Sequence, residues 1–204
     1  MIPLIVSPEQ LRILIIGGGP VALRKCMHFA GADITVISEN IVPEMEDIPL
    51  SLIKKKVTSF DIFIIMKYFD IIVAATNDAT LNSKIRDEAL RRNLYVNSAH
   101  GGGNLVIPSV LRRKGYIVSV SSEGRLPAFP PFVVDELDEF LDKKFDDMFY
   151  VLSEARKLCT GKSIQTERSE YLRKVARDPE IRRLIELGDL PSAVKKASEL
   201  GIPP

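Results

Sequence analysis

The chain has 204 residues, 46% of them hydrophobic and 27% charged, with a formal net charge of +1. This composition supports one folded domain with an appendage, or two small domains, and excludes a disordered chain. A near-neutral total offers no general attraction for nucleic acid or an acidic membrane, so an anionic ligand must meet a local patch.

In chain order, Ile13–Ile16 is a short β-branched run that Gly17-Gly18-Gly19-Pro20 stops. A helical pattern follows, with apolar Val21, Ala22, Cys26, Phe29 and Ala30, and Gly31 ends it. Pro20 suits a first helical turn, where no amide donor is needed. Ile34–Ile37 reads as the next strand, which completes a βαβ unit of a parallel sheet. Pro43–Pro49 reads as loop, Leu52–Val57 as a further strand and Phe60–Phe69 as a short buried helix. Asp70–Ala75 is a buried strand ending in Thr76-Asn77-Asp78, Leu81–Arg92 a helix, and Leu94–Asn97 another strand. Alternation of this kind predicts an α/β, doubly wound parallel sheet over residues 1–110.

Beyond a glycine loop at His100–Asn104, Val106–Val110 and Tyr116–Ser121 are β-like, with Arg112-Arg113-Lys114-Gly115 as the turn. From Phe132 onward about four helices are expected, broken near Lys144–Asp147, Thr160–Ser163, Asp178-Pro179 and Gly188–Pro191. The domain reading is 1–110, a middle segment 111–145, and a helical domain 146–204. Cys26 and Cys159 form no CxxC or Cys/His cluster, which argues against structural zinc. The N-terminus has no basic n-region, and no run reaches the roughly 18 apolar residues of a membrane span. A cytoplasmic protein is expected, with neither a membrane nor a nucleic acid as partner.

The glycine turn carries the first chemistry. A Rossmann turn needs one glycine for the bend, a second for close approach to pyrophosphate, and a small third residue for helix packing. Gly17, Gly19 and Ala22 fill these places, and Pro20–Val21 open the helix whose amides and dipole face the phosphates. The turn sits between a predicted strand and helix, which is the context the motif requires. Ser38 and Glu39 stand where a ribose-binding acid is expected, Ser38 as donor and Glu39 as acceptor. No arginine stands beside them, which favours NAD over NADP. Both are also ordinary turn residues. Thr76 and Asn77, at a strand's carboxyl end, are placed to touch the coenzyme, and Asp78 to cap the next helix with Thr80.

Beyond the turn, GGGPVALRK, VAATND at Val73–Asp78, YVNSA at Tyr95–Ala99, IPSVLRR at Ile107–Arg113 and IVSVSSEG at Ile117–Gly124 fall in order. In that order and spacing the chain resembles the precorrin-2 dehydrogenase/sirohydrochlorin ferrochelatase family over nearly its whole length. The resemblance implies an NAD-binding domain, a dimerisation segment, a C-terminal helical domain and a homodimer. It implies that precorrin-2 gives a hydride to NAD and loses a proton, forming sirohydrochlorin, and that some members then insert ferrous iron. The family's aspartate, tied to proton removal and chelation, matches His100 here. An imidazole can accept a proton near neutral pH, so His100 is the expected base, though it lacks the carboxylate's charge; the plainer reading makes it only a polar loop residue. That makes iron insertion the more doubtful activity. Ser122 matches a serine near the family's substrate pocket, and it also simply turns the chain. The substrate carries eight carboxylates, for which Arg112 and Arg125 are candidate partners, although surface charge is the ordinary role of such residues. Phe129 and Phe132 are candidates for an apolar floor, with core packing as the default. The short strand Ile117–Ser121 would gain an edge partner from a second chain. A second reading keeps the fold but makes the protein a non-catalytic tetrapyrrole or NAD binder. A third, a ligand-sensing regulator, is disfavoured by the helical tail.

Overall fold

The computed structural model describes residues 1–159 and 164–201, with side chains undescribed at 59–61. The break expected at Thr160–Ser163 lies outside the described residues. Two compact units divide the chain: Met1–Ile107 with Glu123–Arg125, and Pro108–Ser122 with Leu126–Pro204. The second therefore holds most of the expected middle segment together with the expected helices.

The first unit is built on five strands: β1 (Arg12–Ile16), β2 (Asp33–Ser38), β3 (Ser51–Lys54), β4 (Ile71–Ala74) and β5 (Tyr95–Ser98). All pair in parallel, in the spatial order β3-β2-β1-β4-β5. The predicted doubly wound α/β sheet is thus observed. Residues 13–16 of β1 are fully buried because both faces of a central parallel strand are covered. Ile13 and Ile15 join Ala22 and Cys26 of helix α1 (Pro20–His28) in one core. Leu14 and Ile16 face the opposite way. They meet Ile62 of α2 (Ser59–Ile65) and Ile85 and Ala89 of α3 (Ala79–Arg91) in a second. The alternation of successive strand residues between faces produces this split. Burial pushes the Cys26 thiol up to about 11. The expected helix over 60–69 is α2 followed by a 3-10 turn at Met66–Tyr68. The expected loop after Pro43 begins with a 3-10 turn at Pro43–Met45.

In the second unit β6 (Ser109–Arg112) and β7 (Ile117–Val120) form an antiparallel hairpin. β6 starts later than expected, just past Pro108, which has no amide to give a ladder. β7 pairs with β6 along one edge, and its other edge has no strand neighbour among the described residues. Helices α4 (Phe129–Phe140), α5 (Lys143–Leu158), α6 (Gln165–Arg177), α7 (Pro179–Glu186) and α8 (Leu190–Glu199) follow. α4 begins before Phe132 because Pro130 and Pro131 lie in its first turn, where proline is tolerated. The break expected over 144–147 falls at Leu141-Asp142 instead. There the Asp142 carboxylate accepts from the Lys144 amide and caps α5. The helical core centres on Val151, Ala155, Val175, Ile181 and Ala193, and the Tyr171 hydroxyl donates to the Ala197 carbonyl at 2.8 Å.

Candidate active site

The order β3-β2-β1-β4-β5 reverses direction between β1 and β4. A crevice opens beyond the carboxyl ends of two parallel strands where such a reversal occurs. The glycine turn stands there, opposite the loop that follows β4. The two are joined by the Ala75 amide donating to the Ile16 carbonyl at 2.8 Å.

Gly17 has φ +119°, and a Cβ there would lie 2.3 Å from the Ala75 carbonyl oxygen. The close approach of the β4 loop therefore dictates this glycine. Sequence reasoning passed over Gly18, yet a Cβ on it would lie 2.1 Å from the Asn40 carbonyl oxygen. The Gly18 carbonyl also accepts from the Val42 amide at 2.8 Å, which ties the turn to the segment after β2. Gly19 differs from both. Its φ is −86°, and no atom lies within 4 Å of a Cβ placed there. It is the N-cap of α1 and supplies no side-chain acceptor to the first-turn amides. Those amides have no intrahelical partner by construction. The open space at Gly19, the bare helix start with Pro20 and Val21, and buried Ala22 together fit a dinucleotide's pyrophosphate.

At the end of β2, the Ser38 hydroxyl donates to the Asn40 carbonyl at 2.6 Å. The donor role expected of Ser38 toward a ribose is thus taken internally, which leaves its lone pairs. Glu39 is exposed just beyond it. β3 ends alongside: Lys54 is the register partner of Ser38, and the Lys55 amide donates to the Ser38 carbonyl at 3.1 Å. These lysines were missed because only the pairing of β2 with β3 brings them there.

On the β4 side, half-buried Thr76 and exposed Asn77 open the loop. Asp78 caps α3 by accepting from the Thr80 and Leu81 amides. The residue that organises this corner is Asn82, which is fully buried. Its Oδ1 accepts from the Thr76 amide at 3.2 Å and the Thr76 hydroxyl at 2.7 Å, and its Nδ2 donates to the Thr76 carbonyl at 2.8 Å. The same Nδ2 lies 2.8 Å from Nδ1 of His100. Asn82 was not singled out because a polar residue on a helix is by default solvated, and its burial depends on two distant loops.

His100 is exposed and follows β5. The loop after it folds over Arg86 of α3. Gly102 has φ +81°, and a Cβ on it would meet Arg86 Nη1 at 2.8 Å. The Arg86 side chain is 24% exposed and paired with Asp87 at 2.8 Å. Asn104 seals the outer edge of β5, accepting from the Val96 amide at 2.7 Å.

The first unit thus gathers the glycine turn, Ser38 at the end of β2, and Thr76, Asn77 and His100 on loops, all at the carboxyl edge of one sheet. Arg125 also belongs to this unit, but it is 81% exposed and paired with Glu123. Arg112 and Ser122 belong to the second unit. Arg112 is exposed on β6, and the Ser122 hydroxyl bonds the Leu126 carbonyl at 3.0 Å and amide at 3.1 Å. Phe129 and Phe132 are 48% and 58% exposed, so core packing does not account for them. His28 is half-buried, its ring edge-on to Phe29. Among the described residues, no group of three or more His, Cys, Asp and Glu is arranged to hold a metal ion. Among the same residues, no helix is long and apolar enough to cross a membrane.

A glycine turn at the switch point of such a sheet defines an NAD(P)-binding domain of the Rossmann class. A family profile described as putative NAD(P)-binding matches residues 4–109. The precorrin-2 dehydrogenase of Bacillus subtilis is 32% identical over 153 residues, covering 71% of this chain and 91% of that protein. The precorrin-2 dehydrogenase of Methanosarcina barkeri is 28% identical over 185 residues, covering 85% and 82%. Siroheme synthase 1 of Cronobacter sakazakii is 30% identical over 145 residues, 69% of this chain but only 31% of that longer protein. The solved structure of SirC, precorrin-2 dehydrogenase, superposes with a TM-score of 0.76 over 98% of this chain and all of that one. At 24% identity that likeness speaks for the fold. The chain belongs to the precorrin-2 dehydrogenase family.

Proposed function

We propose that this chain oxidises precorrin-2 to sirohydrochlorin with NAD as the hydride acceptor, working as a homodimer in the cytoplasm. The observation that carries the coenzyme half is the contrast within the turn. Gly17 and Gly18 are packed against backbone, while Gly19 opens on free space at a bare helix start. The substrate half rests on the family and on the names its members carry.

In this reading Gly19 and the helix start at Pro20 and Val21 hold the pyrophosphate, Gly17 makes the bend and buried Ala22 the close packing beneath it, Glu39 accepts from the ribose, and Thr76 and Asn77 line the nicotinamide side. When bound, NAD supplies the acceptor for the substrate's hydride. His100 meets the substrate at the carboxyl edge of β5. Arg112, Arg125 and Ser122 are the proposed contacts for its carboxylates. Exposed Phe129, Phe132 and Phe140 on α4 support a partner surface, since a row of uncovered aromatic side chains is unusual on a monomer.

A second reading of the coenzyme follows from Lys54 and Lys55 beside Ser38, because cations at this place suit the 2′-phosphate of NADP. Glu39 opposes that phosphate and favours NAD. The test supplies precorrin-2 anaerobically with NAD or NADP and follows reduced coenzyme by absorbance. Turnover with NAD at the higher kcat/KM is expected. Absence of turnover with either coenzyme overturns the dehydrogenase reading, and a preference for NADP overturns the role of Glu39. Adding ferrous iron to the product tests insertion. With His100 in place of a carboxylate, little insertion over the uncatalysed rate is expected, and His100→Asp should raise it.

A further inference from the structure

We propose that Asn82 is a positioning residue that fixes His100 as a hydrogen-bond donor at Nε2, so that His100 grips a carboxylate of the substrate instead of removing its proton. The inference deepens the reading above and rests on it for the identity of the ligand.

The orientation of the Asn82 amide leaves little choice. The Thr76 amide, a donor, faces one end of it, and the Thr76 carbonyl, an acceptor, faces the other. Turning the amide over would set donor against donor and acceptor against acceptor inside a fully buried site. Nδ2 is therefore the atom beside His100, and it can only donate. Nδ1 of His100 must accept, and the neutral ring then carries its proton at Nε2. A ring held this way presents an N–H to the ligand. To take a proton it would have to use Nδ1, from which the Asn82 amide must first be displaced. Nε2 has no partner among the described residues.

The guanidinium near the His100 loop is already paired, with Arg86 2.8 Å from Asp87. Arg86 lies under the loop that follows His100, close enough that its Nη1 is 3.5 Å from the Gly101 carbonyl oxygen. A neutral N–H donor gives a carboxylate a charge-assisted hydrogen bond and does not itself compete for the proton. An imidazole considered by itself can serve as a base, but here the Asn82 amide occupies the nitrogen that would accept the proton.

The first experiment needs neither variant nor turnover. The chain has two histidines, His28 and His100. A nitrogen-15 spectrum of the whole protein, assigned with His28→Gln, reads the tautomer of His100. A ring protonated at Nε2 is expected, and one protonated at Nδ1 overturns the proposal. In Asn82→Asp the carboxylate should accept from Nδ1 and reverse the tautomer. An unchanged tautomer in folded Asn82→Asp also overturns it. The second experiment titrates sirohydrochlorin by its absorbance. His100→Ala should weaken binding about tenfold or more, the loss expected for one bond to a charged group, and His100→Gln, which keeps a donor, should restore most of it. In steady state, His100→Ala should raise KM and leave kcat within about threefold. A fall in kcat of about a hundredfold in both variants, as for a lost base, overturns the donor role. If precorrin-2 is not turned over at all while the tautomer is as expected, the proposed reaction fails and the Asn82–His100 geometry stands.

Discussion

Gly17 and Gly19 lie two residues apart in one turn, and replacing each with alanine should have opposite consequences. At Gly17 a Cβ would be 2.3 Å from the Ala75 carbonyl oxygen and 2.7 Å from its carbon, well inside the 3.0 Å that real Cβ atoms respect. The contacts are backbone, so they do not give way as a side-chain tip would. The φ of +119° adds strain that an alanine does not escape. Overpacking and an unfavourable backbone region each cost about 1–3 kcal/mol, so about 3 kcal/mol in total is a fair expectation. For a chain of this size that lowers the melting temperature by about 6–12 °C. At Gly19 the new methyl meets nothing and φ is already allowed. A weaker N-cap and a less flexible unfolded chain offset each other, so stability should move by less than about 1 kcal/mol. Coenzyme affinity should nevertheless fall by about tenfold or more, because the methyl stands in the proposed path of the pyrophosphate. Thermal melts and NADH fluorescence titrations of the two variants check this directly. Gly17→Ala melting with the unsubstituted protein would refute the steric argument, and Gly19→Ala binding NADH normally would refute the placement of the phosphates.

Two further outcomes test the scaffold around the site. Asp78→Ala removes the acceptor for the Thr80 and Leu81 amides and should cost about 1 kcal/mol, read from urea midpoints, with Asp78→Ser recovering part of it. Glu88 is held at about 2, below its ordinary 4.5, by hydrogen bonds first from Arg91 and then from Arg92. Its contribution is therefore present above pH 4.5 and lost as pH falls toward about 2. The difference in urea midpoint between the unsubstituted protein and Glu88→Gln should close across that window, and a constant difference would contradict the assignment.

The parallel sheet was legible because each strand and helix has its own local signal. Ile13–Ile16 is a buried run, Gly17 to Pro20 a stop and a start, and Asp78 a cap. These features act over a few residues, and sequence displays them. The residues that were missed have roles that no local pattern carries. Asn82 is polar on a helix, and only the approach of the Thr76 and His100 loops makes it a buried switchboard for hydrogen bonds. Gly18 looks like a spare glycine until Asn40 presses against it. Lys54 is one lysine of three in a row until register sets it beside Ser38. Element ends shifted for similarly specific reasons. Prolines admitted to a first turn extended α4 toward the N-terminus, and the Asp142 cap moved the break before α5.

The two walls of the proposed coenzyme crevice are far apart along the chain. Gly17 follows β1, while its packing partner Ala75 follows β4, and β2, β3 and α2 lie between them in sequence. During synthesis the turn emerges early and must wait for its opposite wall. Pairing β1 with β4 closes that long loop, the kind of step whose entropic cost slows folding. A ligand that needs both walls binds only after that closure and then holds it shut by mass action. Coenzyme present while the chain is being made would accordingly act as a late clasp on the sheet and would give no help to the βαβ unit that forms first.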